Sequence, residues 1–248
     1  MEKVKHIVNF SGGKDSTAML FKMLENGYKI DYIVFCNTGV EFPEMYKHIE
    51  QVKKELIKFN LKIIELKPNH SFFYWLTDYK RTRGEYKGLP YGFPSWKNRW
   101  CTTNIKLRPL FKFEQQLIKK GFTIISYVGY SLDETKRATK IKKRETKNKK
   151  FKFPLIEDFK MTEKDCLKYS YNLGFDWDGV YDKVSRLSCY ICPFSRLSEI
   201  KFLMTEHPDL WEKIKQTEAD LKKRGIPYWK FTSRYSCEEI EQLIAKQK

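Results

Sequence analysis

Ser11-Gly12-Gly13-Lys14-Asp15-Ser16 lies between an apolar run, His6-Ile7-Val8-Asn9-Phe10, and the segment Thr17-Ala18-Met19-Leu20-Phe21-Lys22-Met23-Leu24. The first run reads as a buried parallel strand. The second reads as a helix, with Met19/Met23 and Leu20/Leu24 spaced i,i+4 on its inner side. The glycines therefore fall at a strand-to-helix turn, where free backbone N–H groups and the positive end of the helix dipole face one point. Gly12 and Gly13 let the backbone approach an anion and permit positive φ. Ser11 and Ser16 add hydroxyl donors, and Lys14 adds a point charge. The stretch reads as a phosphate cradle. It is too short for a Walker A loop, which needs four residues between its first Gly and its Gly-Lys-Ser/Thr ending.

Further apolar runs follow. Residues 30–36 form a second strand that ends at Asn37-Thr38-Gly39, and a helix is expected from about 43 to 59. Residues 61–66 read as a third strand. A helix entered at Arg108-Pro109-Leu110 is stopped by Gly121, and residues 122–129 read as a fourth strand. Residues 153–157 read as one more short strand, and Thr162 with Asp165 as the capping box of a helix. This alternation predicts an α/β fold with a doubly wound, mostly parallel sheet covered on both faces. Ligands of such sheets bind outside the carboxyl ends of the strands, so the cradle and Asn37-Thr38-Gly39 are expected on one rim. The expected organisation is a nucleotide-binding α/β domain over 1–160 and a helical, cysteine-bearing region over 161–248.

The 248 residues carry 48 Lys and Arg against 31 Asp and Glu, a net charge of +17 that suits a polyanionic partner. Nine basic residues and one acid, Glu145, fall between Lys136 and Lys150. Such a block repels itself and is expected to be mobile until it meets phosphates, with Lys142, Lys143 and Arg144 as nucleic-acid contacts. Residues 67–100 are irregular and rich in aromatics. Phe72–Trp75 and Tyr91–Phe93 could stack exposed bases or could fill a small satellite core. No apolar stretch is long enough to cross a bilayer. The charges of Glu2, Lys3 and Lys5 run straight into a strand, unlike a signal peptide, so a cytoplasmic protein with no membrane partner is expected.

In a reducing compartment the six cysteines favour metal or redox chemistry over disulfides. Cys189-Tyr190-Ile191-Cys192-Pro193 places two thiolates three residues apart, a spacing that grips one metal or one cluster edge. Zinc would require a further ligand, with Cys237 and His207 as candidates. A thioredoxin-like pair is a third option, without the surrounding context for it. Cys36 and Cys166 read as structural.

These motifs, in order from Val4 to about Phe194, resemble the phosphoadenosine phosphosulfate (PAPS) reductase-like family of PP-loop adenine nucleotide α-hydrolases and ATP pyrophosphatases. Ser11-Gly12-Gly13-Lys14-Asp15-Ser16 resembles the PP-loop. Asn37-Thr38-Gly39 with Phe42-Pro43-Glu44 is similar to a family Asp-Thr-Gly element, with Asn37 in place of Asp. Trp100-Cys101 through Pro109-Leu110 resembles a segment in which Cys precedes Lys and Pro-Leu opens a helix. Gly129 through Ala138 is similar to Gly-Ile-Arg-x-Asp-Glu-Ser-x-x-Arg-Ala, with Ser131 in place of the first Arg. Tyr181 through Pro193 resembles Tyr-Asp-x-x-x-Ser-Arg-x-x-Cys-x-x-Cys-Pro.

The resemblance implies an adenine nucleotide α-hydrolase-like PP-loop fold. It implies ATP with Mg²⁺ on Ser11, Gly12, Gly13, Lys14, Asp15, Ser16, Asn37, Thr38, Gly39, Gly129 and Asp133, with Lys14, Asp15 and Arg137 in catalysis. It also implies that Cys101 joins Cys189 and Cys192 around a [4Fe–4S] cluster, Zn²⁺ being the alternative. The expected activity is cleavage of ATP at the α-phosphate, releasing pyrophosphate, with sulfur transfer to a nucleic-acid substrate from a sulfur donor protein. A sulfonucleotide reductase is the alternative, although nothing matches the Cys-Gly-Leu-His-like tail of assimilatory reductases. A nucleotide-binding sensor without turnover is the remaining reading.

Overall fold

The computed structural model describes residues 3–246. Contacts divide the chain into two compact units that interleave in sequence. One takes the chain through Asn37, then Pro43–Lys67 and Arg108–Gly179; the other takes Thr38–Phe42, Pro68–Leu107 and the chain from Val180 onward. Residues 161–179 thus belong with the sheet, and residues 68–107 with the cysteine-bearing helices.

The first unit holds a five-stranded, wholly parallel sheet. Its strands are β1 (Val4–Asn9), β2 (Tyr32–Cys36), β3 (Ile63–Leu66), β4 (Thr123–Val128) and β5 (Lys149–Lys152). The helices between them are α1 (Lys14–Glu25), α2 (Pro43–Leu56), α3 (Arg108–Lys119) and α4 (Thr135–Lys142). The strand order is β3-β2-β1-β4-β5. The chain leaves β1 toward β2 and β3, then returns to the other side of β1 with β4. The β1/β4 junction is therefore the topological switch point, where the loops after the two strands open a crevice at their carboxyl ends. The 11–16 stretch is the loop after β1.

Both faces of the sheet are covered, which explains the near-continuous apolar strands. On one face Ile7, Val34 and Ile124 pack with Leu117 of α3, backed by Leu110 and Phe113. Elsewhere in this unit the buried faces are Met19, Leu20 and Met23 of α1 and Met45, Ile49 and Val52 of α2. Beyond β5 come α5 (Pro154–Glu157) and α6 (Glu163–Asn172), the latter packed beside α1. The capping box is present: Thr162 accepts from the Asp165 N–H, and Asp165 accepts from the Thr162 N–H.

Two expectations are corrected. The fifth strand lies at Lys149–Lys152, and residues 154–157 turn into a short helix. Pro154 has no N–H for a ladder and sits instead at the first helical turn, where none is needed. The basic block is also not a mobile loop: it is α4, a turn and β5. Carboxylates neutralise part of it, with Lys142 on Glu157 (3.3 Å), Lys150 on Glu145 (3.8 Å) and Lys149 on the buried Glu114 of α3 (2.5 Å).

The second unit carries α7 (Val180–Lys183), α8 (Leu197–Glu206), α9 (Pro208–Lys223) and α10 (Cys237–Ala245). Its aromatic segment is a satellite core. Trp75 packs on Tyr79 (4.4 Å), Tyr79 stacks on Tyr91 (5.4 Å), Tyr91 on Trp100 (5.8 Å), and Phe72 meets Trp100 (5.0 Å). Phe72 and Trp75 are buried, so those rings fill space rather than await bases. No helix among the described residues is long and apolar enough to cross a membrane.

The Lys149–Glu114 pair ties the edge strand to α3. Lys149→Met leaves a buried carboxylate alone and is expected to lower stability by roughly 3 kcal/mol in urea unfolding. Adding Glu114→Leu should restore most of that loss, because two apolar groups then meet where two charges did.

Candidate functional site: the glycine turn and the thiol group

Gly13 caps α1 in extended geometry (φ −78°, ψ 165°) and offers no side chain to the first-turn N–H groups. The turn is knitted by Ser16: its hydroxyl donates to the Gly13 carbonyl (3.0 Å) and accepts from the Ser11 N–H (3.1 Å), and the two serine hydroxyls lie 3.0 Å apart. Ser16 is thus occupied inside the loop. Ser11 is the more exposed of the two hydroxyls.

Gly12 is required twice over. Its φ of +81° is left-handed, and a Cβ there would lie 2.4 Å from the Met45 sulfur of α2. Its carbonyl accepts the indole N–H of Trp177 at 2.8 Å. In a trans peptide the next N–H points opposite to that carbonyl, so the bond turns the Gly13 N–H away from Trp177. Trp177 is 1% exposed. It lies 4.2 Å from the His48 ring, and the other edge of His48 meets the Thr17 hydroxyl through Nε2 (2.9 Å). Burial pushes the His48 pKa down to about 3, so the ring is neutral at physiological pH.

The backbone that delivers this indole is strained. Trp177 (φ +51°), Asp178 (φ +53°) and Gly179 (φ +76°) are all left-handed, at a cost of about 1–3 kcal/mol for each non-glycine. Lys47 holds the Asp178 carboxylate at 2.8 and 2.9 Å. No local signal in Asp176-Trp177-Asp178-Gly179 marks a loop-supporting role, and neither His48 nor Trp177 was singled out from sequence.

Gly129 reaches the same place from β4. A Cβ there would lie 2.9 Å from the Ser16 Cα, so the strand end runs directly against the first turn of α1. Asp133 accepts from the Glu163 N–H at the start of α6 (2.8 Å), and the Glu163 carboxylate accepts from Lys14 (2.9 Å). Lys14 also meets Asp15 (3.5 Å), and its side chain is 8% exposed. Burial opposes its charge, but Asp15 and Glu163 outweigh that and hold its pKa above the ordinary value. Asp15 is pushed the other way. Burial raises its pKa to about 6 against the pull of Lys14, and its Oδ1 is buried without a hydrogen-bond partner.

Arg137 is exposed, lies over the Tyr130 ring (4.6 Å) and pairs with Glu134. Ser131, where the family has Arg, is fully buried and its hydroxyl has no partner. Asn37 donates to Glu65 (3.3 Å) and accepts from the Tyr46 hydroxyl (2.9 Å). Lys142, Lys143 and Arg144 lie at the end of α4 and the turn beyond it.

Thr38 and Gly39 fall in the second unit with the cysteines. There Glu41 and Cys189 form an antiparallel bridge, and the Tyr190 N–H donates to the Val40 carbonyl (3.0 Å). The buried Glu41 carboxylate accepts from Thr38 (2.9 Å) and from the Cys189 thiol (3.4 Å), with Lys106 at 3.5 Å. Burial pushes the Cys189 thiol up, and Glu41 and Cys192 add to this while Lys106 opposes it. Burial and Cys192 likewise raise Cys101. Cys189 and Glu41 in turn hold Lys106 above its ordinary value. The Cys192 N–H closes the turn on the Cys189 carbonyl (3.1 Å).

The thiols are therefore electrostatic neighbours in one unit. As placed, they are not gathered into a ligand set: no group of three or more His, Cys, Asp or Glu among the described residues is arranged to hold a metal ion. Cys237 and His207 add no such group either. Cys237 is 2% exposed, with Glu218 accepting from its N–H. The His207 ring packs on Phe42 and Phe202.

Residues 5–195 match the family model described as the phosphoadenosine phosphosulfate reductase domain. The chain belongs to that family. The matched residues take in nearly all of the first unit and end before α8 in the second. An uncharacterized protein of Methanocaldococcus jannaschii is 31% identical over 217 residues, covering 86% of this chain; the chain spans 41% of that relative's length. Among solved structures, the U34-tRNA thiolase NcsA from Methanococcus maripaludis, with its [4Fe-4S] cluster, aligns at a TM-score of 0.41 and 17% identity over 84% of this chain and 69% of its own.

Two measurements probe this domain's glycine turn. Trp177→Phe keeps a ring but removes the donor to Gly12, and should weaken phosphate or nucleotide binding about tenfold by calorimetry. Asp15 has its folded pKa above the ordinary 3.8, so stability is lost as pH rises from there through about 6. The melting temperature of Asp15→Asn should exceed that of the parent at neutral pH, and the difference should close as pH falls below the ordinary carboxylate range.

Proposed function

We propose that the first unit binds ATP and Mg²⁺ at the 11–16 turn and that the protein cleaves the nucleotide at its α-phosphate to activate a nucleic acid for sulfur transfer. An oxygen of the acceptor attacks the α-phosphorus and pyrophosphate leaves, so the acceptor carries AMP. A donor protein then supplies sulfur at the oxidation level of sulfide, which displaces AMP without a redox step.

The observation that carries this reading is the bond from Trp177 to the Gly12 carbonyl. It turns the Gly13 N–H away from the buried Trp177 indole, at the end of α1 where first-turn N–H groups have no intrahelical partner. Phosphate oxygens take those donors. The partnerless Oδ1 of Asp15 suits a Mg²⁺ ligand. Lys14, already held by two carboxylates, positions the turn and reaches phosphate only when Glu163 or Asp15 releases it. Arg137 is exposed enough to meet charge that develops on the α-phosphate. Asn37, Gly129 and Asp133 shape the nucleotide side of the turn, as the family resemblance implies.

Cys237 does not suit the reactive cysteine of a sulfonucleotide reductase: it is buried at the first turn of α10, and burial and Glu218 push its thiol up. Cys101, Cys189 and Cys192 are proposed as ligands of a [4Fe–4S] cluster, with zinc as the alternative. These thiols are not gathered into a ligand set among the described residues, and the adenylation and sulfur displacement above use none of them.

ATP incubated with the protein and a pool of tRNA and DNA should yield AMP and pyrophosphate, and Gly13→Val should abolish both binding and turnover while leaving the circular dichroism spectrum unchanged. Nucleotide binding without AMP formation would favour the sensor reading. Anaerobically purified protein should contain iron and sulfide, lost in Cys101→Ala, Cys189→Ala or Cys192→Ala. Stoichiometric zinc without iron would replace the cluster.

A further inference from the structure

Two stretches of the second unit carry cations outside ion pairs around a ring-lined pocket. Residues 79–100 and 221–235 together contain eleven Lys or Arg and a single acid, Glu85. Two of the eleven are in ion pairs among the described residues, Arg224 with Asp220 and Lys230 with Glu239. The remaining nine have no such pair. In the 136–150 block four of the nine basic residues are paired, leaving five.

The two segments are joined by backbone. The Phe93 N–H donates to the Tyr228 carbonyl (2.8 Å). Gly92 has no side chain because a Cβ would lie 2.3 Å from the Pro227 carbonyl oxygen. Tyr228 is held at φ +60°, a conformation a tyrosine adopts only under constraint, and this keeps its ring outward at 42% exposure.

Between the segments lies a cavity of about 190 Å³, lined by Phe93, Ser95, Tyr228, Trp229, Lys230 and Thr232 among others. That is smaller than the ~300–1,000 Å³ of a typical whole-ligand pocket and suits a single planar ring system. Trp229 has Lys222 (4.9 Å) and Lys230 (5.6 Å) over its ring, and Arg81 lies over Tyr86 (4.7 Å), which meets Tyr228 edge-on (6.1 Å). One Arg81 nitrogen, Nη2, is buried without a partner. Trp96, next to Ser95, is 74% exposed. Stackable rings interleaved with cations, Lys222 and Arg81 among them outside ion pairs, are the two elements of single-strand recognition.

We infer that this face of the second unit binds single-stranded nucleic acid, with one unpaired base stacked at Tyr228 and Trp229 and the flanking phosphates on the surrounding lysines and arginines. The inference rests on the nucleic-acid acceptor of the proposed function and gives that acceptor a docking surface. Base stacking is indifferent to sugar type, so DNA and RNA are separated by experiment.

The full chain is titrated into labelled single-stranded DNA, single-stranded RNA and duplex oligonucleotides of about 12 nucleotides, read by fluorescence anisotropy at ~50 mM salt. Single strands should bind more tightly than duplex, and affinity should fall steeply by ~200 mM salt. Tyr228→Ala should weaken single-strand binding about tenfold, whereas Tyr228→Phe keeps the ring and should stay within about twofold of the parent. If Tyr228→Ala does not fold, Trp96→Ala and the pair Lys222→Glu with Lys223→Glu, all at exposed positions, test the same face and should also weaken binding.

Equal affinity in parent and variants overturns the inference, as does duplex binding as tight as single-strand binding, or loss only when Lys142, Lys143 and Arg144 are neutralised. Conversion of ATP to AMP without oligonucleotide binding sinks this surface and leaves the nucleotide reading standing. Binding lost in Tyr228→Ala, in a protein that makes no AMP, does the reverse.

Discussion

A single hydrogen bond, from the Trp177 indole to the Gly12 carbonyl, sets the direction of the peptide on which the glycine turn depends. Much of the surrounding structure keeps that bond in place. At the left-handed Trp177 and Asp178 the Asp178 N–H donates to Asp176, and the exposed Lys47 pairs with the Asp178 carboxylate. The ring on the other side of Trp177 is a histidine kept neutral by its own burial and fastened to α1 through Thr17. Gly12 can lie against α2 only without a side chain, because the Met45 sulfur occupies that space. The local strain is tolerable because the surrounding packing overdetermines it, and it yields an N–H aimed before any ligand arrives.

Charge is distributed against the simplest reading of a net +17. The lysine inside the glycine turn is paired with Asp15 and Glu163, so the turn presents backbone N–H dipoles rather than a free ammonium. Such dipoles act over short range and with direction, which favours a tetrahedral phosphate over a diffuse polyanion. On the second unit, cations outside ion pairs lie among exposed rings in residues 79–100 and 221–235. The thiol group shows a third arrangement, with a buried carboxylate and a lysine beside Cys189, so the thiol's neighbours pull its protonation in opposite directions.

Belonging to the PAPS reductase domain family accounts for the order of the motifs, and each of the two units draws on several separate stretches of the chain. Segments that leave the sheet after β2 and β3 join the second unit, which is why Thr38, Cys101 and Cys189 share surroundings although they are far apart in sequence. The same division separates Asn37 from Thr38, two neighbours that read as one motif on paper.

What the sequence determined by itself was whatever depends on local chemistry. Apolar runs of strand length, glycines at a strand-to-helix turn, Pro-Leu at the entry to α3 and Thr162 with Asp165 at the entry to α6 each act within a few residues, and each was legible. The strand at 149–152 was not, because its sequence, Lys-Lys-Phe-Lys, has no apolar alternation and is stabilised by pairing with β4 and by Glu114, thirty-five residues away. The burial of Lys14 against Glu163, the support of Gly12 by Trp177 and the inward turn of Phe72 and Trp75 were equally hidden. A carboxylate in a capped helix, a tryptophan before Asp-Gly and a run of aromatics have the same local propensity whether they face solvent, a ligand or a core. Only the folded chain brings the long-range partner that decides among these, since hydrogen bonding and packing act over a few ångströms of space and take no account of distance along the sequence.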